Sequence, residues 1–360
     1  IYVTVNTLVD QNEAEDLADY LRFLYEAGVD AIIIQDLGAV YLAQKILPEL
    51  PLHASTQMTV TNLPAAKFLE KQGFQTVVLA REVSLDDIKT ISEGTSALIE
   101  TFIHGALCVC YSGQCLMSGM IGGRSGNRGR CAQPCRLPYQ LVDDKGNNVL
   151  EGKDVGQYLL SPRDFCTIDK LPEIVKAGAR SLKIEGRMKT ALYVATVART
   201  YRKAINDYLE SPEKYQENMP WYLDQISNCT YRQFTTGFFY GKPTEETQIY
   251  DSNTYVKEYT YLGIVGERNE QGLYQTEQRN KFSVGEEIEV MKPNGDNVEV
   301  VVKRILTEDG VEQESAPHPK QVLYVDLGMQ VDKYDILICA DKGYLYARNL
   351  SLTPNFILGD

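Results

Sequence analysis

The chain has 360 residues, 44% of them hydrophobic, so it can bury a large core, and its length predicts one large domain with a smaller one. No apolar run approaches the ~20 residues of a membrane helix and no secretory pattern opens the chain, so we expect a cytoplasmic location and no membrane partner. A net charge of −13 disfavours a broad electropositive surface, so any nucleic-acid site is expected to be local.

Short β-branched runs alternate with helical patterns over the first half of the sequence. The chain opens at Ile1 within "IYVTVN", which is typical of a strand inside a longer parent protein. Strand-like runs follow one another at 2–6, 31–36, 51–57, 76–82, 97–105 and 181–187. Helical segments such as "EAEDLADYLRFLYEAGV" and "LPAAKFLEKQG" separate the early runs. Strands that alternate with helices predict a parallel sheet with right-handed crossovers.

Six such strands fit either an open doubly wound sheet or most of a (β/α)8 barrel. We favour the barrel because no glycine-rich turn of the dinucleotide or P-loop kind follows a strand. Polar residues also cluster at the carboxyl ends of the strands, where barrel enzymes build their sites. The expected fold class is α/β, a TIM-like barrel whose first two βα units would precede Ile1.

About 75 residues separate the fifth and sixth strand runs, far more than a βα connection needs. Within this insertion, at 106–180, "LPYQLVDDKGNNVLEG" predicts a hairpin around its DKGN turn. "SPRDFCTIDKLPEIVKAG" predicts a capped helix entry with Cys166 near its start. Six of the eight cysteines lie between the end of the fifth strand and this helix.

The second half of the sequence changes character twice. A helix is predicted over 189–210, with an apolar stripe that is typical of core packing and is formed by Val194, Val197, Ala198, Tyr201, Ala204, Ile205 and Tyr208. Residues 211–250 are tyrosine-rich and irregular, and from about 255 short strands with hairpin turns such as Asn294-Gly295 predict a small β barrel. The expected domains are therefore 1–210, a connection at 211–250, and 251–360.

The stretch "HGALCVCYSGQC" (104–115) holds three cysteines and a histidine. Spacings of six, fifteen and thirty-four residues separate Cys108, Cys115, Cys131 and Cys166, and none of these is a CxxC pair. An iron–sulfur cluster suits thiols dispersed along a glycine-rich loop better than structural zinc does. A nucleophilic cysteine paired with His104, or plain buried thiols, remain open alternatives on spacing alone.

Several motifs together resemble the collagenase-like peptidase family. They are "ETFIHGALCVCYSGQCLMSGMIGGRSGNRGRCAQPCRLPY", "LHASTQMTVTN", "VVLAREVSLDDI", "SLKIEGRMKTALYVATVARTYRKAI" and "FTTGF". The resemblance runs to about residue 240 and implies a barrel with a [4Fe–4S] cluster on Cys108, Cys115, Cys131 and Cys166. It is nearest to the branch that installs 5-hydroxyuridine at the tRNA wobble position, with prephenate as the implied hydroxyl source. Cys110 and Cys135 are additional to the implied ligand set.

Polar residues near the ends of the strands are the candidates for catalysis and substrate binding. The candidate catalytic residues are His104 and Glu185, and the candidate substrate-binding residues are Arg81, Gln57, Lys183, Arg187, Arg124 and Arg128. Arginine presents a planar fork that fits a carboxylate such as those of prephenate, and the arginine group at 124–136 could bind RNA phosphate. The structural alternatives are a buried His104 without a chemical role and an ion pair between Lys183 and Glu185.

Two rival functions follow from the same residues. Proteolysis, as the family name says, would need an activated nucleophile or a metal-bound water, but the sequence has no HExxH and no GxSxG motif. Only Cys108 or Cys110 with His104 could supply such a nucleophile. The third reading is a cluster-binding partner subunit of a second, homologous hydroxylase.

Overall fold

A computed structural model describes residues 1–153, 156–229, 232–250 and 259–340. Its contacts group the chain into two units, the first comprising Ile1–Glu185 and Arg232–Thr254 and the second Gly186–Tyr231 and Tyr255–Asp360. The sequence-based boundaries at 210 and 250 differ from this grouping. Within the second unit, Leu192 and Ala195 of the long helix pack with Tyr259 and Ile336 of the carboxyl-terminal strands, which ties that helix to the β sheet.

Eight described strands form the sheet of the first unit: β1 (Tyr2–Val5), β2 (Ala31–Ile34), β3 (Leu52–Ala54), β4 (Phe74–Val78), β5 (Leu98–Ala106), β6 (Asp164–Cys166), β7 (Ser181–Ile184) and β8 (Phe234–Thr235). The helices are α1 (Ala14–Glu26), α2 (Leu37–Ile46), α3 (Leu63–Lys71), α4 (Leu85–Gly94), α5 (Met117–Gly122) and α6 (Leu171–Lys176). Strands β1 to β5 pair in parallel, each with the next along the chain, and β7 pairs in parallel with β5. The six predicted strand runs and the parallel sheet are confirmed.

Local sequence signals explain where these helices begin. The side chain of Asp36 accepts a hydrogen bond from the backbone of Ala39 at the start of α2, and Asn62 and Ser84 cap α3 and α4 in the same way. Along α1, leucines at helical spacing are buried. The caps and the apolar faces together hold each helix between successive strands.

Two predictions within the insertion need correction. Cys166 lies in strand β6, which pairs antiparallel with the end of β5, and helix α6 begins only at Leu171. Strand β5 continues to Ala106, beyond its pairing with β4, and its end pairs with β6, which explains the strand at Asp164–Cys166. The predicted hairpin around DKGN is reduced to one bridge between Val142 and Asn148.

The described part of the second unit combines three helices with an antiparallel sheet. The helices are α7 (Ala191–Glu210), α8 (Pro212–Glu217) and α9 (Met219–Ser227). The eight strands described in this unit are β9 (Tyr259–Arg268), β10 (Tyr274–Gln278), β11 (Glu287–Met291), β12 (Val298–Val301), β13 (Arg304–Thr307), β14 (Glu312–Gln313), β15 (Val322–Asp326) and β16 (Ile336–Ala340). All their pairings are antiparallel, and the predicted hairpin at Asn294-Gly295 joins β11 to β12.

Residues 212–227, which were predicted to be irregular, are mostly helical. Ser211 accepts a hydrogen bond from the backbone of Lys214, and Pro212 occupies the first turn of α8, where its missing N–H costs nothing. The apolar stripe of α7 also needs correction, because Val194 is 43% exposed. The buried face of α7 instead includes the polar residues Arg199 and Asp207.

Asp207 is the polar centre of the helical part of the second unit. Its carboxylate accepts hydrogen bonds from Lys203 at 2.8 Å, from Asn218 at 2.9 Å and from the hydroxyl of Tyr222 at 2.5 Å. Burial alone would raise the pKa of Asp207, but these hydrogen bonds outweigh burial and lower the pKa below its usual value. The charged carboxylate therefore links α7 to α8 and α9.

Among the described helices, none combines the length and apolarity needed to cross a membrane.

Candidate active site

The cysteine-containing loop is docked onto the segments that follow β3 and β4. Ser112 is its anchor: the backbone N–H and the hydroxyl of Ser112 donate to the Glu82 carboxylate at 3.1 and 3.0 Å. The Ser112 carbonyl accepts from the hydroxyl of Thr59 at 2.7 Å, and its hydroxyl accepts from the backbone N–H of Arg81 at 3.2 Å. Gln114 adds a hydrogen bond to Thr59 at 2.8 Å. Four bonds at one residue fix the loop against the strand ends.

Gly113 allows an unusually close approach of this loop to Gln57. Its φ is +79°, and a Cβ placed there would lie 2.2 Å from the carbonyl oxygen of Gln57. Only glycine tolerates both the left-handed backbone and this contact. The loop therefore packs backbone against backbone at the turn after β3.

Three carboxamides follow consecutive strands β1, β2 and β3. The Nε2 of Gln35 donates to the backbone carbonyl of Asn6 at 2.6 Å and to the Oε1 of Gln57 at 2.8 Å. A backbone carbonyl can only accept, which fixes the orientation of the Gln35 amide and, in turn, that of Gln57. The Oε1 of Gln57 is used in this bond, so its Nε2 is the donor that the side chain presents at the carboxyl edge of the sheet. This arrangement is compatible with the predicted substrate-binding role of Gln57.

Arg81 is held over an aromatic ring. Its guanidinium carbon lies 3.7 Å from the centroid of the buried Phe102 ring, and its Nη2 lies 3.6 Å from the carboxylate of Glu185. Stacking on Phe102 fixes the plane of the guanidinium, while the long contact to the half-buried Glu185 is a weak ion pair. Arg81 can therefore present its fork to an anion.

The alternative ion pair between Lys183 and Glu185 is wrong. Lys183 lies in β7 beside β5 and bonds the carboxylate of Glu100 at 2.5 Å. The hydroxyl of Ser181 also donates to Glu100, at 2.5 Å, so this carboxylate is held by two groups of the neighbouring strand. The ammonium group of Lys183 also lies 5.9 Å from the centre of the Phe102 ring, so both candidate cations approach the same ring.

His104 is almost completely buried in β5, with 1% exposure. Its ring lies 5.7 Å from the ring of Phe234, its carbonyl accepts from the backbone N–H of Glu185 at 2.9 Å, and Cys166 is its partner residue on β6. The structure thus brings His104, Glu185 and Cys166 together in the backbone of adjacent strands.

Five thiols share one electrostatic neighbourhood in the loop. Cys108 lies close enough to Cys115 and Cys131 for their charges to interact, and Cys135 interacts with all three. Cys110 lies close enough to Cys115, Cys108 and Cys135 to interact with them as well. The sixth thiol of the insertion, Cys166, is buried in β6.

Two arginines act electrostatically on the thiol of Cys108. Desolvation by the surrounding loop raises the pKa of Cys108, although the residue keeps an exposed surface, while Arg81 and Arg136 act in the opposite direction. Arg136 is itself buried and donates to the carbonyls of Leu107 and Pro162. Soft thiol donors beside two cations have the chemistry that an anionic iron–sulfur cluster needs. In the described ranges, however, no three His, Cys, Asp or Glu side chains already form a group that could hold a metal ion.

The four arginines of the group at 124–136 lie in different environments. Arg128 pairs with Glu13 and, at 3.5 Å, with Asp10, and its hydrogen bond together with that of the Asp10 backbone lowers the pKa of Glu13 to about 2. Arg124 and Arg130 are exposed, whereas Arg136 is buried. Arg187, the remaining candidate for substrate binding, is exposed and belongs to the second unit.

Sequence reasoning missed the roles of Glu100, Phe102 and Ser112. Glu100 had a visible signal, since an acidic residue in the middle of the apolar run "ALIETFIHG" must find a partner when buried. Phe102 and Ser112 gave no such signal, because their roles arise from neighbours that are distant in the sequence.

Two regions of the chain match described protein families. Residues 1–249 match Peptidase family U32, and residues 257–337 match the Peptidase family U32 C-terminal domain. The chain therefore belongs to peptidase family U32. The expected family resemblance is thereby confirmed.

Named relatives fall into three kinds. The tRNA hydroxylation protein P1 of Bacillus subtilis is 36% identical over 92% of this chain and 79% of its own length. The 23S rRNA 5-hydroxycytidine C2501 synthase of Escherichia coli is 46% identical over 58% of this chain, which spans only 31% of that protein. A protein named collagenase from Porphyromonas gingivalis is 34% identical over 73% of this chain and 64% of its own length.

Proposed function

We propose that this protein is an RNA-modifying enzyme that hydroxylates uridine at the tRNA wobble position, with prephenate as the oxygen donor. Relatives named for tRNA and rRNA hydroxylation support RNA as the substrate class. The observation that carries the proposal is the docking of the thiol-rich loop, through Ser112, beside Arg81 at the carboxyl ends of the strands. Redox-capable donors and an anion-binding cation are thus adjacent.

The proposed cofactor is a [4Fe–4S] cluster held by Cys108, Cys115, Cys131 and Cys166. Such a cluster supplies electron transfer when bound. The interaction of Cys108 with Cys115 and Cys131 supports three of these ligands, and the burial of Cys166 suits a thiolate that must be shielded from solvent. The guanidinium groups near Cys108 would offset the negative charge of the ligands.

The protein's own groups would position prephenate and the base. Arg81, stacked on Phe102, would bind one carboxylate of prephenate through its planar fork. The Nε2 of Gln57 would donate to a carbonyl or carboxylate oxygen of the bound substrate. Glu185, which is half-buried beside Arg81, would accept the proton lost from C5 of the base. Prephenate, as the oxygen donor, would give up its hydroxyl, and its ring fragment would keep the electron pair of the broken C–O bond and take up a proton.

We also propose that the parallel sheet is part of a TIM-like barrel. The sheet keeps a single direction of strand order from β1 to β5 and on to β7, whereas a doubly wound sheet reverses its order at a switch point. Functional side chains at the carboxyl ends of several strands support the same fold.

The experiment combines cofactor analysis with nucleoside analysis. Anaerobically prepared protein is expected to absorb near 400 nm and to hold about four irons and four sulfides per chain. Incubation with prephenate and unmodified tRNA should produce 5-hydroxyuridine, and omission of prephenate should abolish it. Stoichiometric zinc without sulfide would exclude the cluster, while a cluster-loaded protein that requires an added homologue for hydroxylation would assign it the role of a partner subunit.

The named collagenase relative makes proteolysis the second candidate, but the thiol environment opposes it. Desolvation and the neighbouring Cys115 raise the pKa of Cys110 to about 11, and desolvation raises the pKa of Cys108 although that residue keeps an exposed surface. A nucleophilic cysteine needs the opposite shift. Peptide cleavage by iron-free protein would favour proteolysis over RNA hydroxylation as the function.

A further inference from the structure

The sequence from 101 to 142 has no acidic residue and carries four arginines, in a chain whose net charge is −13. The rest of the chain therefore carries −17. Two of the arginines, Arg128 and Arg136, are engaged by other groups of the protein. The other two, Arg124 and Arg130, are exposed, and their guanidinium groups have no partner among the described residues.

Helix α5 lies within this acid-free stretch and presents apolar side chains to solvent. Met120 is 81% exposed and Ile121 is 59% exposed. The inner side of the helix is fixed, because the buried Ser118 hydroxyl accepts a hydrogen bond from the backbone of Ala132 at 2.9 Å. Gly123, with φ +64°, then ends the helix and turns the chain toward the arginines.

A fixed pair of exposed apolar side chains beside two free cations suits a nucleic acid better than another protein. Charge complementarity favours a polyanion, since this stretch carries four arginines and no acidic residue in a chain that is acidic overall. Apolar wedges inserted between bases are a recurrent device for unstacking nucleic acids, and a base that undergoes chemistry has to leave its stack.

We propose that Met120 and Ile121 form a wedge that enters the base stack of a single-stranded RNA loop while Arg124 and Arg130 hold the flanking phosphates. The inference rests on the proposed function and adds the surface that receives the RNA and the step that exposes the target base. The wedge acts by displacing a neighbouring base, so it is a positioning element without a role in the reaction itself.

The test uses the full chain, prepared anaerobically with the proposed iron–sulfur cluster. Its ligand is an anticodon stem-loop RNA with 2-aminopurine next to the loop uridine. Binding to the wild type should raise the 2-aminopurine fluorescence because the base unstacks. The double variant Met120→Ser, Ile121→Ser should lose this rise and weaken RNA binding by about tenfold, the order of one lost stacking contact. The double variant Arg124→Gln, Arg130→Gln should lower the slope of log K against log salt concentration by about 1.4. The control Phe68→Ser, which removes a 56% exposed apolar residue of α3, should change neither value.

The outcomes separate this inference from the function on which it rests. If the wild type binds and hydroxylates RNA and the serine variant retains the fluorescence rise, the wedge is refuted and the proposed function stands. If the wild type neither binds nor modifies RNA, both fail. If the serine variant differs from the wild type only in sedimentation, the apolar pair is a protein contact and the inference is overturned. The conservative variant Met120→Leu should keep the signal and shows that the loop still folds.

Discussion

Replacement of Gly113 by alanine should detach the cysteine-containing loop while leaving the rest of the protein folded. Gly113 has a φ of +79°, and its added Cβ would stand 2.2 Å from the carbonyl oxygen and 2.7 Å from the Cα of Gln57. Both atoms belong to the backbone and cannot rotate away. Since ordinary contact begins at 3.4 Å, the loop and the turn after β3 must separate by roughly 1 Å.

The size of the effect follows from what that separation breaks. A left-handed alanine costs about 1 kcal/mol. The hydrogen bonds of Ser112 to Thr59 and to Glu82, at 2.7 to 3.1 Å, contribute about 1 kcal/mol each and would be stretched beyond hydrogen-bonding range. The free energy that holds the loop in its docked position should therefore fall by about 4 kcal/mol. This fall raises the population of the detached loop by roughly a thousandfold. Gly122→Ala is the matched control, because nothing lies within 4 Å of its added Cβ.

Hydrogen exchange measured by mass spectrometry on a peptide spanning 108–115 reports the detachment directly. Gly113→Ala should exchange this peptide much faster than the wild type, and Gly122→Ala should match the wild type. Iron content should fall in the same variant if the loop supplies cluster ligands. Equal exchange in Gly113→Ala and Gly122→Ala would refute the reasoning, because it would show that the close approach to Gln57 does not hold the loop.

Three further outcomes are expected. Cys108→Ser and Cys115→Ser should each lose iron and hydroxylation, whereas Cys110→Ser should keep most of the iron; metal analysis of anaerobic preparations tests this. Cys339→Ser should lower the midpoint of urea unfolding without loss of the absorbance near 400 nm, because the half-buried thiol packs against the core of the β sheet. Asp207→Asn should destabilise the second unit at neutral pH, by about 2 kcal/mol for the lost charged hydrogen bonds. The pKa of Asp207 is lowered on folding, so this contribution is present above about pH 4 and should fade below it, as fluorescence of the single tryptophan during urea unfolding would show.

The sequence was most informative where one local pattern decides the structure. The β-branched run in "AIIIQD" predicts a strand, and β2 forms there as predicted, fully buried. It was least informative where distant partners decide. The strand at Cys166 exists because it pairs with the end of β5, and no periodicity in "SPRDFC" predicts that partner.

The candidate site shows the same limit. Arg81, Gln57, Lys183 and Glu185 could be selected as polar residues at strand ends, and the fold does place them at one edge of the sheet. Their pairing could not be predicted, because a strand brings its neighbours in register only after the sheet has formed. Lys183 accordingly finds Glu100 on β5 and leaves Glu185 to Arg81.

The charge distribution of the chain affects both the proposed cluster and the proposed RNA substrate, because both are anionic. An anionic cluster and an anionic RNA would both be repelled by a chain of net charge −13, unless each meets local cations. The acid-free stretch provides two kinds: buried Arg136 faces Cys108, and exposed Arg124 and Arg130 face solvent. Because Arg128 is already neutralised by Glu13, its removal should change RNA affinity less than the removal of Arg124. Salt titrations of Arg128→Gln and Arg124→Gln compare the two directly, and an equal decrease in slope would show that the pair with Glu13 opens when RNA binds.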